Sequence, residues 1–190
     1  MVQRQMRLLL ITPKYSAPET IGSHLKLRVD PMLNRYSHIA IVDADTRVPS
    51  SFYELPNTYP TADIIGARTV VATSRIFRTW ERLTYWVKLK PRIRGCAVIY
   101  STAFLEQVGG WPLVTTPDTW LEQRAKTKIL APVMVIHEQR FSIRHSIHTQ
   151  IRDGRSRAEL NYPFWMTVLH SLFRVRPFVL FAHLWYWMQR

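Results

Sequence analysis

The segment HIAIVDADTRVPSSF, residues 38–52, constrains the fold more than any other part of the chain. Its apolar run at 39–42 predicts a short strand that is buried on both faces. Asp43 and Asp45 follow this strand, and two carboxylates at such a position are costly to desolvate unless a positive charge lies between them. A hard divalent cation that also binds phosphate oxygens supplies that charge. Ligands of open α/β sheets bind beyond the carboxyl ends of strands, so this edge is the predicted binding site.

The same Asp-x-Asp pattern also has a simpler interpretation. Asp side chains hydrogen-bond their own backbone and are common where a strand leaves a sheet. Taken alone, the pattern is more often such a turn than a cation site. The sequence downstream has to decide between the two.

Size, charge and composition limit the classes of protein. The chain has 190 residues, 47% of them hydrophobic, which is enough to bury a core and excludes wholesale disorder. The formal net charge of +13 requires an anionic partner, either a phosphorylated substrate, an anionic membrane surface or a nucleic acid. Nucleic acid is the least favoured, since no nucleic-acid-binding motif is present. The single Cys96 excludes an intrachain disulfide and suits a reducing compartment.

The first residues, MVQRQMRLLLIT, predict a strand and not a secretory signal, because Pro13 ends the apolar run too early. No stretch reaches the ~20 apolar residues of a membrane-spanning helix.

Strand-like and helix-like segments alternate along the chain, which predicts an α/β sheet with helices on its faces. The predicted strands are 7–12, 39–42, 63–71, 93–100 and 129–137. The predicted helices are 25–36, 74–89, 102–108 and 118–128. Pro132 places the last strand at a sheet edge or delays its start.

Several motifs then occur in a fixed order. After the Asp-x-Asp come the segment RGCAVIYSTAFLEQVGGWP at 94–112, a helix led by Asp118, and the polar stretch QIRDGR at 150–155. This order resembles family 2 of the inverting nucleotide-sugar glycosyltransferases, which includes cellulose, hyaluronan and dolichyl-phosphate-mannose synthases. The resemblance covers roughly residues 22–158. It implies the GT-A fold, a Rossmann-like, mostly parallel mixed sheet with flanking helices.

The resemblance also implies a mechanism. Asp43 and Asp45 would hold Mg²⁺ or Mn²⁺ against the diphosphate of a nucleotide-sugar donor. Asp118 would be the general base that deprotonates a hydroxyl acceptor, which attacks the anomeric carbon from the opposite face. The acceptor-side loop would be formed by Gly109, Gly110 and Trp111. Contacts to the donor diphosphate would come from Gln150, Arg152 and Arg155.

The chain departs from the family at two places. Pro117 stands where the family has a Glu before the base. Besides the strand at 39–42, only the predicted strand at 7–12 precedes Asp43, whereas the family forms its nucleotide pocket from two or more such strands. The pocket is therefore abbreviated, or an oligomer or partner chain completes it, or the protein is a degenerate relative.

A third metal ligand is expected from the carboxyl-terminal side. His137 ends a predicted strand and is better placed for this role than His145 or His148. Simpler roles stay open for several of these residues: an ordinary surface histidine, a helix N-cap for Asp118, core packing for Trp111 and a solvated charge for Arg155.

The chain ends in an aromatic, apolar and basic tail, residues 159–190, which we separate from the glycosyltransferase domain at 1–158. Tryptophan-rich helices with arginines that are too short to span a bilayer are typical of membrane interfaces. The alternative is a helix pair that packs on the core or on another subunit. We expect the interface, with an anionic membrane surface as partner and a lipid-linked or polysaccharide acceptor. The predicted localisation is cytoplasmic and peripheral, at the inner face of the membrane.

Three other functions fit part of the sequence. Phosphatases of the haloacid dehalogenase type also begin with an apolar strand and Asp-x-Asp, but Arg47 stands where their pattern has Thr or Val. A non-catalytic basic protein would bind nucleic acid or acidic polymers through its charge and aromatic side chains. A degenerate glycosyltransferase would keep the fold without the activity.

Overall fold

The protein is described by a computed structural model over residues 8–12, 25–71, 93, 95–138, 143–173 and 176–189. Within these ranges one mixed sheet has the strand order β1-β2-β5-β4-β6-β3. Its strands are β1 (Leu8–Ile11), β2 (His38–Val42), β3 (Thr46–Arg47), β4 (Ile64–Val71), β5 (Ala97–Ser101) and β6 (Lys128–His137).

Four of these strands point the same way. β1 pairs in parallel with β2, and β4 pairs in parallel with β6. β5 lies between β2 and β4 and is antiparallel to both, while the short β3 is antiparallel to the end of β6. The predicted mixed α/β sheet is confirmed, and it is mostly parallel because four of its six described strands run in the same direction.

The described helices flank this sheet or follow it in the chain. They are α1 (25–29), α2 (Leu55–Thr58), α3 (Thr102–Gln107), α4 (Pro117–Arg124), α5 (Ile143–Glu159), α6 (Phe164–Phe173) and α7 (Pro177–Met188). Pro31 interrupts the first predicted helix, which continues only as the 3-10 turn Asp30–Met32. Gly109 and Gly110, with φ of 87° and 91°, end α3 as predicted. The helix predicted at 74–89 lies outside the described residues.

Two predicted boundaries were wrong, each for a local reason. β5 begins at Ala97 and not at residue 93, because residues 95–96 form a turn. α4 ends at Arg124 and not at residue 128. There the Asp63 carboxylate accepts hydrogen bonds from the backbone N–H groups of Lys126 (2.8 Å) and Thr127 (2.9 Å), which directs the chain into β6.

Pro132 is accommodated by an irregularity in the pairing of β4 with β6. The β4–β6 register jumps from Ala67 opposite Ala131 to Arg68 opposite Met134. Pro132 and Val133 therefore bulge out of the ladder, as a residue without an N–H requires. In the described sheet β6 is the neighbour of the edge strand β3. Because β3 lies opposite Ile136 and His137 alone, the outer side of β6 has no described partner strand at Pro132, which therefore lies at a locally open edge.

The core lies on both faces of the sheet. All five residues of β2 are buried. Ile39 and Ile41 belong to one hydrophobic cluster, and Ala40 and Val42 belong to the other. The strand before the Asp pair is thus covered on both faces, as its unbroken apolar run predicted.

The chain divides into two compact units. The first comprises Met1–Ala72, Pro91–Leu113 and Pro117–Glu138, and the second comprises Thr73–Lys90, Val114–Thr116 and Gln139–Arg190. In the second unit α5 packs closely on α7, since a Cβ at Gly154 would meet the Ala182 side chain at 2.6 Å. The domain boundary after residue 158 stays a prediction.

Replacing Phe52 by alanine tests the core of the first unit. Phe52 is fully buried in the cluster that contains Ala40 and Val42. We expect Phe52→Ala to lower the free energy of unfolding by about 3–5 kcal/mol, because the cavity is closed on all sides. Urea denaturation measures this, with the exposed Leu113→Ala as control, expected to change it by less than about 0.5 kcal/mol. Equal losses in both variants would contradict the core position of Phe52.

Candidate functional site

The Asp-x-Asp lies in a tight reversal between β2 and β3. The Asp43 N–H donates to the Cys96 carbonyl (2.9 Å), which continues the pairing of β2 with β5. The Thr46 N–H then donates to the Asp43 carbonyl (2.9 Å), which closes a turn. The turn that offered the simpler interpretation is therefore present, and it also fixes where the two carboxylates lie.

The pairing of β3 with β6 brings His137 to this turn. Thr46 lies opposite His137 in the ladder, and its hydroxyl is 2.9 Å from His137 Nδ1. The same nitrogen is 3.3 Å from Asp45 Oδ1. One residue further, the Glu138 N–H donates to the Asp45 carbonyl (2.8 Å). Backbone and side-chain contacts together place the histidine beside the Asp pair.

Asp43, Asp45 and His137 form a cluster that can hold a metal ion. Each offers one ligand atom, and these atoms lie within 4.8 Å of one another. Asp43 and His137 are half-buried, and Asp45 is exposed. Two carboxylate oxygens and an imidazole nitrogen are a suitable donor set for a divalent ion. The structure thus brings together the three residues that the sequence put forward as metal ligands.

Asp118 lines a small cleft at the amino end of α4. The cleft has a volume of about 10 Å³, roughly one water molecule. Its walls are formed by Ile64, Ile93, Gly95, Val98, Tyr100, Asp118 and Glu122. The Asp118 carboxylate lies directly on the Gly95 backbone, because a Cβ built on Gly95 would be 2.5 Å from Oδ2. Asp118 is the second residue of α4, so it is not the N-cap, and the helix dipole favours its negative charge there.

Tyr100 relates this cleft to the Asp pair. Burial raises the pKa of its phenol well above the usual value, and the negative charges of Asp118, Glu122 and Asp43 raise the pKa further. The phenol is therefore protonated at physiological pH. Asp43 and Asp118 therefore both lie near enough to Tyr100 for their charges to act on its hydroxyl.

Trp111 has the packing role that the sequence left open. Its indole is 3% exposed and meets the Tyr100 ring edge-on, with 5.5 Å between centroids. The backbone N–H of Trp111 donates to Asp30 Oδ1 (2.8 Å), and Lys26 pairs with the other oxygen of Asp30 (2.6 Å). A buried indole offers no face to a sugar, so direct stacking on an acceptor is not supported for Trp111. An acceptor contact by Gly109 or Gly110 stays a prediction.

The predicted diphosphate ligands all lie on α5, in the second unit. Gln150 is buried and Arg152 is exposed, so these two point to different sides of the helix. Arg155 pairs with Glu159 (2.9 Å) and lies over the Tyr186 ring at 5.2 Å. Their role at the donor stays a prediction. His148 is exposed on α5, and the side chain of His145 lies outside the described part of the structure.

Three residues of the cleft were missed from the sequence. Glu122 follows Asp118 by four positions, which places both on one helix face, and this spacing was an available signal. Tyr100 was read only as part of a strand. Gly95 carried no signal, because its role depends on how closely α4 approaches the chain before β5.

Comparison with known proteins gives distant structural likenesses. No protein-family model matches the sequence, and no curated protein is significantly similar. A solved mannosyltransferase from Pyrobaculum calidifontis, in complex with GDP-mannose and Mn²⁺, is similar with a TM-score of 0.45 and 16% identity. The alignment covers 85% of this chain and 51% of that one, so the chain spans about half its length. These values do not establish membership of a family.

Proposed function

We propose that this chain is a metal-dependent glycosyltransferase that moves a sugar from a nucleotide-sugar donor to a hydroxyl acceptor. The observation that carries the proposal is the cluster of Asp43, Asp45 and His137 at the carboxyl end of β2. It is supported by Asp118, whose carboxylate acts on the same phenol as Asp43. A metal-assisted transfer to a hydroxyl needs a cation site and a carboxylate that can accept the proton of the hydroxyl, and the first unit contains candidates for both.

In this proposal, Asp43, Asp45 and His137 hold Mn²⁺ or Mg²⁺. The carboxylates suit either ion, whereas an imidazole nitrogen suits a transition-metal ion better, which favours Mn²⁺. The ion would neutralise the charge that develops on the departing nucleoside diphosphate. Thr46 orients the His137 ring through its hydroxyl, 2.9 Å from Nδ1.

Asp118 is the proposed general base. Its carboxylate accepts the proton of the acceptor hydroxyl while that oxygen attacks the anomeric carbon, which inverts the configuration. Gly95 leaves space for the carboxylate, and Glu122 and Tyr100 line the same cleft. The Tyr100 phenol is protonated, and the negative charges of Asp118 and Glu122 act on it.

Several finer assignments belong to the same proposal. The chain would be a family 2, inverting enzyme with a GT-A fold. Its acceptor would be lipid-linked or a polysaccharide, and it would act in the cytoplasm at the inner face of the membrane. Only β1 precedes β2 in the described sheet, so the nucleotide pocket would be abbreviated or would be completed by a partner chain or second copy.

Calorimetry with GDP and UDP, each with and without Mn²⁺, tests the proposal. We expect nucleotide binding to depend on Mn²⁺ and its affinity to fall at least about tenfold in Asp45→Ala. A loss of that size in metal affinity is typical even when only a residue hydrogen-bonded to a metal ligand is replaced. Glu54→Ala is the matched control, because Glu54 is an exposed carboxylate of the same unit outside the cluster. Binding that ignores both Mn²⁺ and Asp45 would overturn the metal site.

A phosphatase assay on the same protein samples tests the alternative that the chain is a phosphatase. If Asp43 were a phosphatase nucleophile, the chain would hydrolyse p-nitrophenyl phosphate and Asp43→Asn would abolish that activity. We expect no such hydrolysis.

A further inference from the structure

The helix α6 has its apolar side chains on the outside. Trp165, Leu169 and Leu172 are exposed and follow one another at the spacing of a single helix face. In α7, Phe178, Phe181, Trp185 and Met188 form a similar exposed stripe. We call these seven residues, which are between 40% and 68% exposed, the aromatic face.

Polar side chains lie on the inside of the same helices. Thr167 and Ser171 are buried on the opposite side of α6, and His183 is buried on α7. The Thr167 hydroxyl is 2.8 Å from His183 Nδ1, so these two buried groups pair with each other. Burial lowers the pKa of His183, as does the nearby positive charge of Arg157. In α6 the buried side chains are thus polar and the exposed ones apolar, the reverse of a helix that faces water, whereas α7 also buries Val179 and Ala182.

The charge around the aromatic face is positive. Residues 139–190 contain eight arginines and only two acidic residues, and none of the acids lies after Glu159. Both acids are already paired, Asp153 with Arg176 (2.8 Å) and Glu159 with Arg155 (2.9 Å). An apolar face that is surrounded by arginines complements a bilayer, whose interior is apolar and whose headgroups are anionic.

We propose that the aromatic face docks on a lipid bilayer that contains anionic lipids. α6 has 10 residues and α7 has 12. At 1.5 Å per residue they are about 15 and 18 Å long, which suits helices that lie in the interface. Within the described residues, no helix combines the length and apolar character needed to cross a bilayer. Trp165, Trp185 and Trp187 near the helix ends match the preference of tryptophan for the headgroup region.

Vesicle flotation of the full chain tests this inference without donor, acceptor or metal. We expect binding to phosphatidylcholine vesicles that contain phosphatidylglycerol, and weaker binding to phosphatidylcholine alone. The double variant Phe181→Glu and Trp185→Glu should reduce the bound fraction by roughly tenfold or more, since two large apolar side chains leave the bilayer. Both positions are more than half exposed, so the fold should tolerate the change.

The matched control is Leu27→Glu with Leu113→Glu, which changes the net charge equally at sites 76% and 63% exposed outside the aromatic face. It should bind vesicles like the wild type, and circular dichroism should be the same for all three proteins. Equal loss in both double variants would reduce the effect to net charge and overturn the proposal. So would a wild-type dimer, detected by light scattering, that only the first variant dissociates and that does not float with vesicles. Because no donor is present, failure here removes the membrane location but leaves the proposed metal-dependent sugar transfer untouched, and failure of the transfer proposal leaves the docking face untouched.

Discussion

Replacing Asp118 by asparagine should lower the release of nucleoside diphosphate from a nucleotide sugar by roughly 10²–10⁴-fold, the usual contribution of a general base. Asparagine keeps the shape of the side chain but cannot accept the proton. A panel of GDP- and UDP-sugars with a polyprenyl phosphate acceptor provides the assay. Mn²⁺-dependent binding of the nucleotide should be unchanged, because the cluster of Asp43, Asp45 and His137 is intact in this variant.

Glu122→Gln is the matched control for this result. Glu122 lines the same cleft one helical turn away, and its removal takes away a negative charge without removing the base. Its effect should be much smaller, together with a shift in the pH–rate profile. An Asp118→Asn enzyme that works at the wild-type rate would remove Asp118 from the chemistry.

Replacing Gly95 by alanine should lower turnover by about 100-fold through displacement of the Asp118 carboxylate. The added Cβ would be 2.5 Å from Oδ2 and 3.0 Å from Cγ of Asp118, so the carboxylate has to move. A misplacement of about 1 Å is enough for a loss of this size. Gly95 is not among the described glycines with positive φ, so its backbone accepts alanine without strain.

A double-mutant cycle shows whether Gly95 acts through Asp118. If it does, Gly95→Ala combined with Asp118→Asn should be no slower than Asp118→Asn alone. If the losses of turnover in the two single variants multiply in the double variant, Gly95→Ala acts on turnover by a route other than Asp118. Thermal unfolding of each variant distinguishes a displaced carboxylate from a damaged fold.

Much of the sheet was readable from local pattern. The unbroken apolar run at 39–42 predicted a strand covered on both faces, and β2 is buried throughout. Gly109 and Gly110 predicted the end of α3, because they supply the positive φ that most residues avoid. Both features depend on residues adjacent in sequence, which is where patterns are most informative.

The features that were missed depend on contacts between distant parts of the chain. The end of α4 is set by Asp63, which accepts hydrogen bonds from backbone N–H groups more than sixty positions later in the chain. The place of Gly95 depends on Asp118, and the burial of Trp111 depends on Asp30 and Tyr100. No periodicity encodes such contacts, so only the folded chain reveals them.

The two-residue strand β3 has a thermodynamic consequence. It places Thr46 opposite His137, so the pairing at this edge of the sheet includes a proposed metal ligand. Such a short ladder is weak by itself, so this margin is where fraying would begin. An ion bound by His137 and Asp45 would stabilise the pairing of β3 with β6. By the reciprocity of linked equilibria, formation of this pairing would raise the affinity for the ion.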